Sequence, residues 1–260
     1  MELASGRMLD LVFMIALWGI ALYMIYSKRE IWIRRLPALD FIEEAVGRAA
    51  EMGKPVLIQG FGSSGTGLSS SMAPMILAAL SVLGHAAQIC ARYGTPIIAP
   101  MRSQDVIPVA DEVLMTAHRL EGKLEEYEAK KEDMLPWAPT QAALAALAFR
   151  VRPATHIMIG TFWHESIIVS EAFNRVGAVQ IGGTGRVSQI SFLAAACDMT
   201  IIGEEIYAVG SYLSRRREML ASIAATDYFK IFSILLIIIG SILATLGGNL
   251  INPLIAFMNW

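Results

Sequence analysis

A stretch in the second half of the chain combines short apolar runs with a glycine cluster and a helical pattern. Val179–Ile181 has the composition of a buried strand, and the glycines directly after it predict a tight turn. Helical spacing of apolar residues then extends from Val187 to Ala196, and a second strand-like run occupies Met199–Ile202. The glycines of the turn are Gly182, Gly183 and Gly185. Strand, turn, helix and strand in this order predict a βαβ unit, in which parallel strands are covered by helices.

The rest of the middle of the chain repeats this alternation of strand-like and helical patterns. Strand-like runs occur at 56–59, 95–100 and 155–162, and helical patterns at 37–52, 72–93, 140–149 and 165–176. Such an order predicts an α/β fold with a mainly parallel, Rossmann-like sheet and helices on both faces. The helix at 72–93 is apolar on nearly every side, so we expect it to be buried, either in the domain core or against a partner subunit.

The segment 105–133 differs from its surroundings because it is rich in charged residues. A helix is predicted from Val106 to Lys131, with apolar residues at alternating steps of four and three. These residues are Val113, Ala117, Leu120, Leu124 and Tyr127. The pattern fits the seam of a short coiled coil or a helical hairpin, which Gly122 weakens. An ordinary surface helix with one buried stripe is the favoured interpretation.

The start of the chain is apolar, and the composition indicates that part of the chain lies in lipid. Charged residues make up 17% of the chain and hydrophobic residues 55%, whereas a soluble domain has about 25% charged residues. Leu11–Tyr26 contains no charged residue, and basic residues follow it, which reverses the order found in a secretory signal peptide. These basic residues are Lys28, Arg29, Arg34 and Arg35. We therefore predict an uncleaved transmembrane helix at 11–27, preceded by a short external N-terminus at 1–10.

The end of the chain is predicted to cross the membrane a second time. A helix at 205–225 is expected to lead into a transmembrane helix at 229–248, and an apolar tail at 249–260 either finishes the span or lies at the interface. Arg215–Arg217 precede this span, so basic residues flank the inner ends of both apolar segments. The positive-inside rule then places both termini outside the plasma membrane and the α/β domain, residues 28–225, in the cytoplasm.

Net charge and cysteine usage argue against several kinds of function. A formal net charge of −2 argues against a general nucleic-acid binder, which would have a basic face. Cys90 and Cys197 lie in separate apolar helical patterns and are interpreted as small buried hydrophobes in a reducing compartment. The sequence has no CxxC or HExxH spacing, so neither a disulfide framework nor a metal site is predicted.

The loop after the first predicted strand contains a GxGxxG pattern, which exposes backbone N–H groups that can bind an anion. A dinucleotide fingerprint is disfavoured, because the next helix starts late and no acidic residue between Met52 and Gln104 could bind a ribose. Two interpretations of the glycines remain. In the functional one, the two glycine turns form a looser site for an anion or another small ligand. In the structural one, the glycines are present only because tight turns require them. The candidate residues are Gly60, Gly62, Ser63, Ser64, Gly65, Thr66, Gly182, Gly183, Thr184, Gly185 and Arg186.

Polar residues also follow the strand predicted at 155–162. His164, Glu165 and Ser166 lie where ligands of parallel sheets usually bind. Neighbouring residues point apart on a helix, so these three cannot form a triad, and Glu165 and Ser166 are interpreted as helix N-terminal residues. His164 and Glu204, which also lies at a helix start, complete the candidate ligand-binding residues. No nucleophile stands near a base in the sequence, so no catalytic residues are predicted.

Two blocks of the sequence resemble a known family. They are RRLPALDFIEEAVGRAAEMGKPV, which begins at Arg34, and AVQIGGTGRVSQISFLAAACDMTIIGEEIYAVGSYLS, which ends at Ser214. Both are similar to blocks of an uncharacterised prokaryotic family of integral membrane proteins with a domain of unknown function. The family has alanine at the position of Gly183 and Leu-Pro at Ile190–Ser191, differences that leave the predicted turn intact. The resemblance implies a membrane protein with a single middle domain, and it implies no activity or cofactor.

Three functions are compatible with these features. The first is a membrane-anchored, homo-oligomerising scaffold or assembly protein, suggested by surplus apolar surfaces and by small residues at every fourth position of the second span. Those residues are Gly240, Ala244 and Gly248. The second is a membrane-tethered α/β domain that binds an anionic small ligand, a nucleotide or phosphate, with or without enzymatic activity. The third is an accessory subunit of a larger membrane complex. The expected partners are the lipid bilayer, further copies of the chain and other membrane-complex subunits; no cofactor is assigned.

Overall fold

The computed structural model describes residues 8–27, 30–62 and 66–246. The chain divides into two compact units. The α/β unit comprises Arg35–Leu213, and the terminal unit combines Met1–Arg34 with Ser214–Trp260. Some predicted features lie outside the described residues, namely Lys28, Arg29, Ser63, Ser64, Gly65, Gly248 and the tail 249–260.

Helices and strands alternate through the α/β unit, as the sequence pattern predicts. In chain order the elements are α1 (Met8–Tyr26), α2 (Pro37–Glu51), β1 (Val56–Gln59), α3 (Ala73–Tyr93), β2 (Ile97–Ile98), α4 (Ile107–Leu120), α5 (Leu124–Met134), α6 (Gln141–Val151), β3 (Thr155–Ile159), α7 (Glu165–Arg175), β4 (Val179–Thr184), α8 (Val187–Ala196), β5 (Met199–Ile202), α9 (Glu205–Ser214) and α10 (Arg217–Leu246). Local signals explain several boundaries. The Thr140 hydroxyl accepts a hydrogen bond from the Ala143 N–H at 3.2 Å at the start of α6, and Gly94 ends α3 with a φ of 70°.

The five strands form one parallel sheet in the order β2-β1-β3-β4-β5. β1 pairs with β3 from Val56 opposite Thr155 to Gln59 opposite Met158. The chain therefore moves from β1 to β2 on one side and returns to place β3 on the other side. The predicted parallel sheet is confirmed, and the strand order reverses between β1 and β3.

Helices cover both faces of the sheet, as predicted. In β1, Val56 and Ile58 belong to the main core together with side chains of α2, α3 and α4. Leu57 points to the opposite face and packs with α6 and α7, because successive side chains of a strand alternate between the two faces. α3 is mostly buried in the main core, and this burial accounts for its apolar character.

The charged segment is two helices that pack on each other, so the prediction of a single helix from Val106 to Lys131 is wrong, whereas the helical-hairpin alternative agrees with the structure. α4 ends at Leu120 and α5 begins at Leu124, with Gly122 between them at a φ of 71°. A residue in the left-handed region ends an α-helix, and glycine takes that conformation at little cost. No continuous coiled-coil seam exists, because α4 packs on α3 and buries Leu114 in the main core.

Other boundaries also differ from the prediction. β4 continues through Gly182 and Gly183 to Thr184, so the predicted turn at these glycines is wrong. The helix predicted at 205–225 is interrupted, because Arg215 takes a φ of 50° between α9 and α10. The strands predicted at 95–100 and 155–162 are shorter, because only Ile97–Ile98 and Thr155–Ile159 pair with neighbouring strands.

The terminal unit is built from α1 and α10, which pack antiparallel. Arg217 Nε donates a hydrogen bond to the Ile25 carbonyl at 2.8 Å, so the guanidinium caps the last turn of α1. Further along α10, the Phe229 ring meets the Phe13 ring edge to face at 5.5 Å, and the Phe232 ring lies 6.1 Å from the Phe13 ring.

Two helices of the described residues are long and apolar enough to cross a membrane, namely Ala73–Tyr93 and the segment Arg217–Ile242 of α10. α3 is mostly buried in the core of the α/β unit, whereas α10 is exposed along most of its length. The predicted first span corresponds to Leu11–Tyr26, which is apolar but shorter. The length and composition of these helices are weak evidence for membrane association, and both α1 and α10 leave large apolar side chains exposed.

Candidate functional site

The carboxyl edge of the sheet is where the strand order reverses and where β1 and β3 end side by side. Gly60 and Gly160 follow these strands with φ angles of 132° and 142°, in a region that favours glycine strongly. The Thr161 N–H donates a hydrogen bond to the Gly60 carbonyl at 3.3 Å. A Cβ at Gly60 would overlap the Ile159 carbonyl, and one at Gly160 would overlap the backbone of Gly60. The two strand ends are therefore in direct backbone contact.

A buried ion pair links the strands on either side of β1. Arg102 Nη1 donates to Glu165 Oε1 at 3.2 Å, and the exposed fractions of the two side chains are 13% and 4%. Arg102 follows β2, and Glu165 is the first residue of α7, directly after β3. Glu165 lies at the helix N-terminus, as predicted, and its carboxylate forms an ion pair with Arg102, which follows a different strand.

Unpartnered polar atoms gather at the same edge. Within the described residues, five buried side-chain atoms have no hydrogen-bond partner: Gln59 Nε2, Thr95 Oγ1, Arg102 Nε, His156 Nε2 and Thr161 Oγ1. Three of them belong to residues at the carboxyl ends of the adjacent strands β2, β1 and β3, namely Arg102, Gln59 and Thr161. Gln59 shares the face of Leu57, which is the face covered by α6 and α7. The edge therefore offers two buried N–H donors and one hydroxyl.

The segment between β3 and α7, together with the first residues of α7, contacts α6 and the start of α8. The Arg186 guanidinium stacks on the Trp163 ring at 3.4 Å, and the Ser166 hydroxyl donates to Gln189 Oε1 at 2.7 Å. His164 Nε2 lies 3.0 Å from the Gln141 amide nitrogen. Thus His164, Glu165 and Ser166 each contact a different partner.

A carboxylate of the protein itself binds the first glycine loop. Asp105 accepts a hydrogen bond from the Leu68 N–H at 2.6 Å, and a Cβ at Gly67 would overlap that carboxylate. The Ser103 hydroxyl also donates to Asp105, and this hydrogen bond is the largest of the causes that lower the pKa of the Asp105 carboxyl below its ordinary value. The side chain therefore stays negatively charged at neutral pH beside the loop.

This arrangement differs from a dinucleotide-binding turn in two respects. α3 begins only at Ala73, well beyond the GxGxxG pattern, whereas the fingerprint opens the helix. An internal carboxylate, that of Asp105, also accepts a hydrogen bond from the Leu68 N–H just beyond the pattern. Gly62 takes a φ of 84°, and Thr66 is half-buried; Ser63, Ser64 and Gly65 lie outside the described residues.

Gly182 and Gly183 allow neighbouring elements to pack closely against β4. A Cβ at Gly182 would lie 2.5 Å from Cys197 Sγ, and one at Gly183 would lie 3.0 Å from Ile201 Cβ. Both glycines are in β4, so their lack of a side chain lets α8 and β5 approach the strand. Thr184 is buried, and its hydroxyl accepts a hydrogen bond from the Arg186 N–H at 3.3 Å. Gly185 lies against Met75 and Tyr207. Glu204 is exposed and directly precedes α9.

His156 forms a buried polar cluster in the middle of β3. Its ring stacks on the Phe173 ring at 3.7 Å, and its Nδ1 lies 3.1 Å from Gln180 Oε1. Burial lowers the pKa of His156 from 6.5 to about 3, and the Gln180 hydrogen bond offsets this only in part. The imidazole is therefore neutral in the folded protein at neutral pH.

We expect His156 to make stability depend on pH below about 6.5. The unfolded chain binds a proton at His156 between pH 6.5 and 3, whereas the folded chain does not, so stability is complete above pH 6.5 and falls as the pH decreases. The loss is about 1.4 kcal/mol per pH unit, or about 2 kcal/mol at pH 5. Burial also lowers the pKa of His85, which adds a loss in the same direction.

Unfolding free energies measured from pH 8 to pH 5 check this expectation. His156→Gln should flatten the dependence by about 2 kcal/mol over that range, whatever its effect at pH 8. An unchanged slope in this variant would show that His156 does not titrate on unfolding.

The site residues predicted from the sequence do not include Gln59, Arg102 or Thr161. A polar residue at the last position of a buried strand is a signal that could have found Gln59. Arg102 and Thr161 carry no such local signal, because their neighbours come from other strands. Among the described residues, no group of three His, Cys, Asp or Glu side chains is placed to hold a metal ion.

Comparison with known proteins adds one finding. A family model described as Domain of unknown function (DUF6754) matches residues 2–255. The match agrees with the resemblance of the two sequence blocks to an uncharacterised family. No curated protein and no solved structure matches the chain.

Proposed function

The chain belongs to the family described as Domain of unknown function (DUF6754), and for this member we propose that a membrane-anchored, Rossmann-like α/β unit binds a small anionic ligand. The ligand presents carboxylate or phosphate oxygens and lies at the carboxyl edge of β1, β2 and β3. The observation that carries this proposal is the set of buried atoms of Gln59, Arg102 and Thr161 that have no partner among the described residues.

The chemistry of these atoms selects the ligand. Gln59 Nε2 and Arg102 Nε can only donate hydrogen bonds, and the Thr161 hydroxyl can donate or accept. A buried donor without an acceptor costs about 1–3 kcal/mol. Glu165 already binds one nitrogen of the Arg102 guanidinium, and the planar guanidinium has further donors suited to a second oxyanion. A carboxylate or phosphate group supplies several acceptor oxygens and so matches this set of donors.

The position of these atoms in the sheet supports the same proposal. In open parallel sheets, ligands bind beyond the carboxyl ends of the strands at the point where the strand order reverses. That point lies between β1 and β3 in this protein, and the order 2-1-3-4-5 is one of the two common orders of doubly wound sheets. Gly60 and Gly160 keep side chains away from this point.

The membrane part of the proposal rests on the terminal unit. We place α1 and α10 in a bilayer with both termini outside and the α/β unit in the cytoplasm, as the positive-inside rule indicates. The hydrogen bond between Arg217 and the Ile25 carbonyl supports a common side for the two basic segments, because it brings the basic start of α10 to the end of α1 that precedes Arg34.

Thermal unfolding of the full-length protein in mild detergent, with and without candidate ligands, tests the binding function. The probes are inorganic phosphate, AMP, ATP, coenzyme A, succinate and citrate. A ligand at about 100 times its Kd stabilises the folded state by about 2.7 kcal/mol, which corresponds to a rise of about 5–10 °C in Tm for a domain of this size. We expect such a rise with at least one probe.

Variants distinguish the proposed site from other binding. Gln59→Leu and Thr161→Val should abolish the ligand-induced rise in Tm without lowering the Tm of the free protein, because each removes an unpartnered polar atom and keeps the volume. Thr155→Val is the matched control: Thr155 lies at the opposite end of β3 and donates to the Ala45 carbonyl at 2.9 Å. This control should lose some stability and keep the full ligand effect. No rise with any probe, or a rise that survives in both edge variants, would refute the proposal.

A further inference from the structure

We infer that the ligand carries two acidic groups, and that the Arg186 guanidinium binds the second of them beside the buried donors of Gln59, Arg102 and Thr161. This inference rests on the ligand site proposed above and narrows its ligand to one class, dianions with two separate carboxylate or phosphate groups. The feature that points to it is a second guanidinium at the same edge of the sheet.

Two guanidinium groups approach the segment between β3 and α7 from opposite sides. Arg102 follows β2, which lies two strands from β3 on one side, and Arg186 follows β4 on the other side. The first contacts Glu165, and the second lies over the Trp163 ring, 3.4 Å from its centre. Trp163 and Glu165 are two residues apart, which limits the distance between their Cα atoms to about 7 Å. Both cations therefore lie at the carboxyl end of β3.

The buried Thr161 hydroxyl belongs to the same short segment. Its oxygen is among the buried atoms without a partner in the described residues. Thr161 precedes Trp163 by two residues, so their Cα atoms also lie within about 7 Å of each other. Because Arg186 covers the Trp163 ring, this spacing suits two groups of one small molecule.

The donors of the Arg186 guanidinium are available to a ligand. Within the part of the chain that the structure describes, this guanidinium forms no hydrogen bond and no ion pair, and its contact is with the face of the Trp163 ring. A guanidinium that stacks on a ring keeps its N–H donors in its own plane, where they can bind a carboxylate or phosphate. Arg186 is half-buried and Trp163 is 40% exposed, so a solute can reach the pair.

The charges at this edge favour a second acidic group. Arg102 and Glu165 neutralise each other, whereas Arg186 adds a positive charge that no carboxylate of the described residues binds. Val187, the next residue, begins α8, whose first turn contains no acidic residue. A helix N-terminus carries a partial positive charge that attracts anions. The charge of Arg186 and the dipole of α8 therefore act in the same direction.

Trp163 acts as a positioning residue for Arg186. An arginine side chain loses rotamer freedom when it binds a ligand, and this loss weakens binding. Stacking on the indole ring orders the guanidinium before the ligand arrives. Removing the ring should therefore weaken the binding of the second acidic group, although the ring itself does not hold that group.

Paired ligands that differ by one acidic group test the inference. The pairs are butyrate and succinate, AMP and ADP, and phosphate and pyrophosphate. Isothermal titration calorimetry on the full-length protein in mild detergent measures each Kd. For at least one pair, we expect the wild-type protein to bind the member with the additional acidic group at least about tenfold more tightly, because a hydrogen bond to a charged group contributes about that factor.

Variants at Arg186 and Trp163 should change this ratio of Kd values. Arg186→Gln should reduce the ratio to about 1, because a neutral amide does not form charge-assisted hydrogen bonds to the second group in the way that a guanidinium does. Trp163→Leu should reduce it in part, and Trp163→Phe should keep most of it, because phenylalanine also offers a ring face. Arg175→Gln is the matched control, since Arg175 forms an exposed ion pair with Glu171; its ratio should equal that of the wild type.

The possible results separate this inference from the ligand site itself. Equal binding of both members of every pair, or a ratio that Arg186→Gln leaves unchanged, would refute a second acidic group at Arg186. If Gln59→Leu still abolished binding in that case, the proposed site would stand without the inference. An absence of binding by every probe would refute both.

Discussion

Gly60→Ala is expected to leave the α/β unit unfolded or aggregated under conditions in which the wild-type protein is stable. Gly60 has a φ of 132°, and an added Cβ would overlap the Ile159 carbonyl oxygen and lie 2.6 Å from the Ile159 carbonyl carbon. Both obstacles are backbone atoms of the central strand β3, so no side chain can rotate to make space. The strained φ alone costs about 1–3 kcal/mol, and separating β1 from β3 adds more.

The total loss of stability in Gly60→Ala should exceed about 4 kcal/mol, a large part of the 5–15 kcal/mol that stabilises a typical domain. Circular dichroism and thermal unfolding of the full-length protein in mild detergent measure it. Gly47→Ala is the matched control, because Gly47 lies within α2 and a Cβ there would meet no atom within 4 Å. That variant should gain up to about 1 kcal/mol from helix propensity. Equal stability of the two variants would contradict the close contact between the strand ends.

Arg102→Met is expected to destabilise the protein by about 3–5 kcal/mol, because it leaves the Glu165 carboxylate buried without its cation. Removing both charges has a different result. Replacing a buried ion pair with apolar side chains of similar volume is often neutral or stabilising. The double variant R102M/E165L should therefore recover most of the stability that Arg102→Met loses.

A double-mutant cycle on thermal or urea unfolding measures this coupling between Arg102 and Glu165. Arg175→Met breaks the exposed pair with Glu171 and serves as the control, with an expected loss below about 1 kcal/mol. The double variant R102M/E165L should also fail to show a ligand-induced rise in Tm, although it is folded. Similar losses in Arg102→Met and Arg175→Met would mean that the Arg102–Glu165 pair is not buried in solution.

The elements of the fold are largely predictable from short stretches of sequence. β1 and β5 have the predicted boundaries, α2 begins at Pro37, and α3 ends before Gly94. These features depend on interactions within about four residues, such as helical hydrogen bonds and the φ preferences of proline and glycine. The alternation of helices and strands likewise predicts a parallel sheet covered on both faces.

The prediction fails where a local pattern has two interpretations. The glycines at 182 and 183 are equally compatible with a turn and with a strand that other elements approach closely. Cys197 and Ile201 decide between them, since they occupy the space that side chains would need. In the charged segment, Gly122 weakens the helical pattern, and the packing of α4 on α3 decides that the chain turns there.

Apart from the breaks between α4 and α5 and between α9 and α10, the sequence by itself determined the order of helices and strands, together with the apolar character of both ends and the absence of a recognisable catalytic motif. Only the tertiary structure decided which polar groups meet. Arg102 and Glu165 are 63 residues apart, and Leu68 and Asp105 are 37 apart. No pattern in either neighbourhood encodes these contacts, because they depend on the order in which the strands are placed in the sheet. For the same reason, the unpartnered atoms of Gln59 and Thr161 can be recognised only in the tertiary structure, in which β1 and β3 lie side by side.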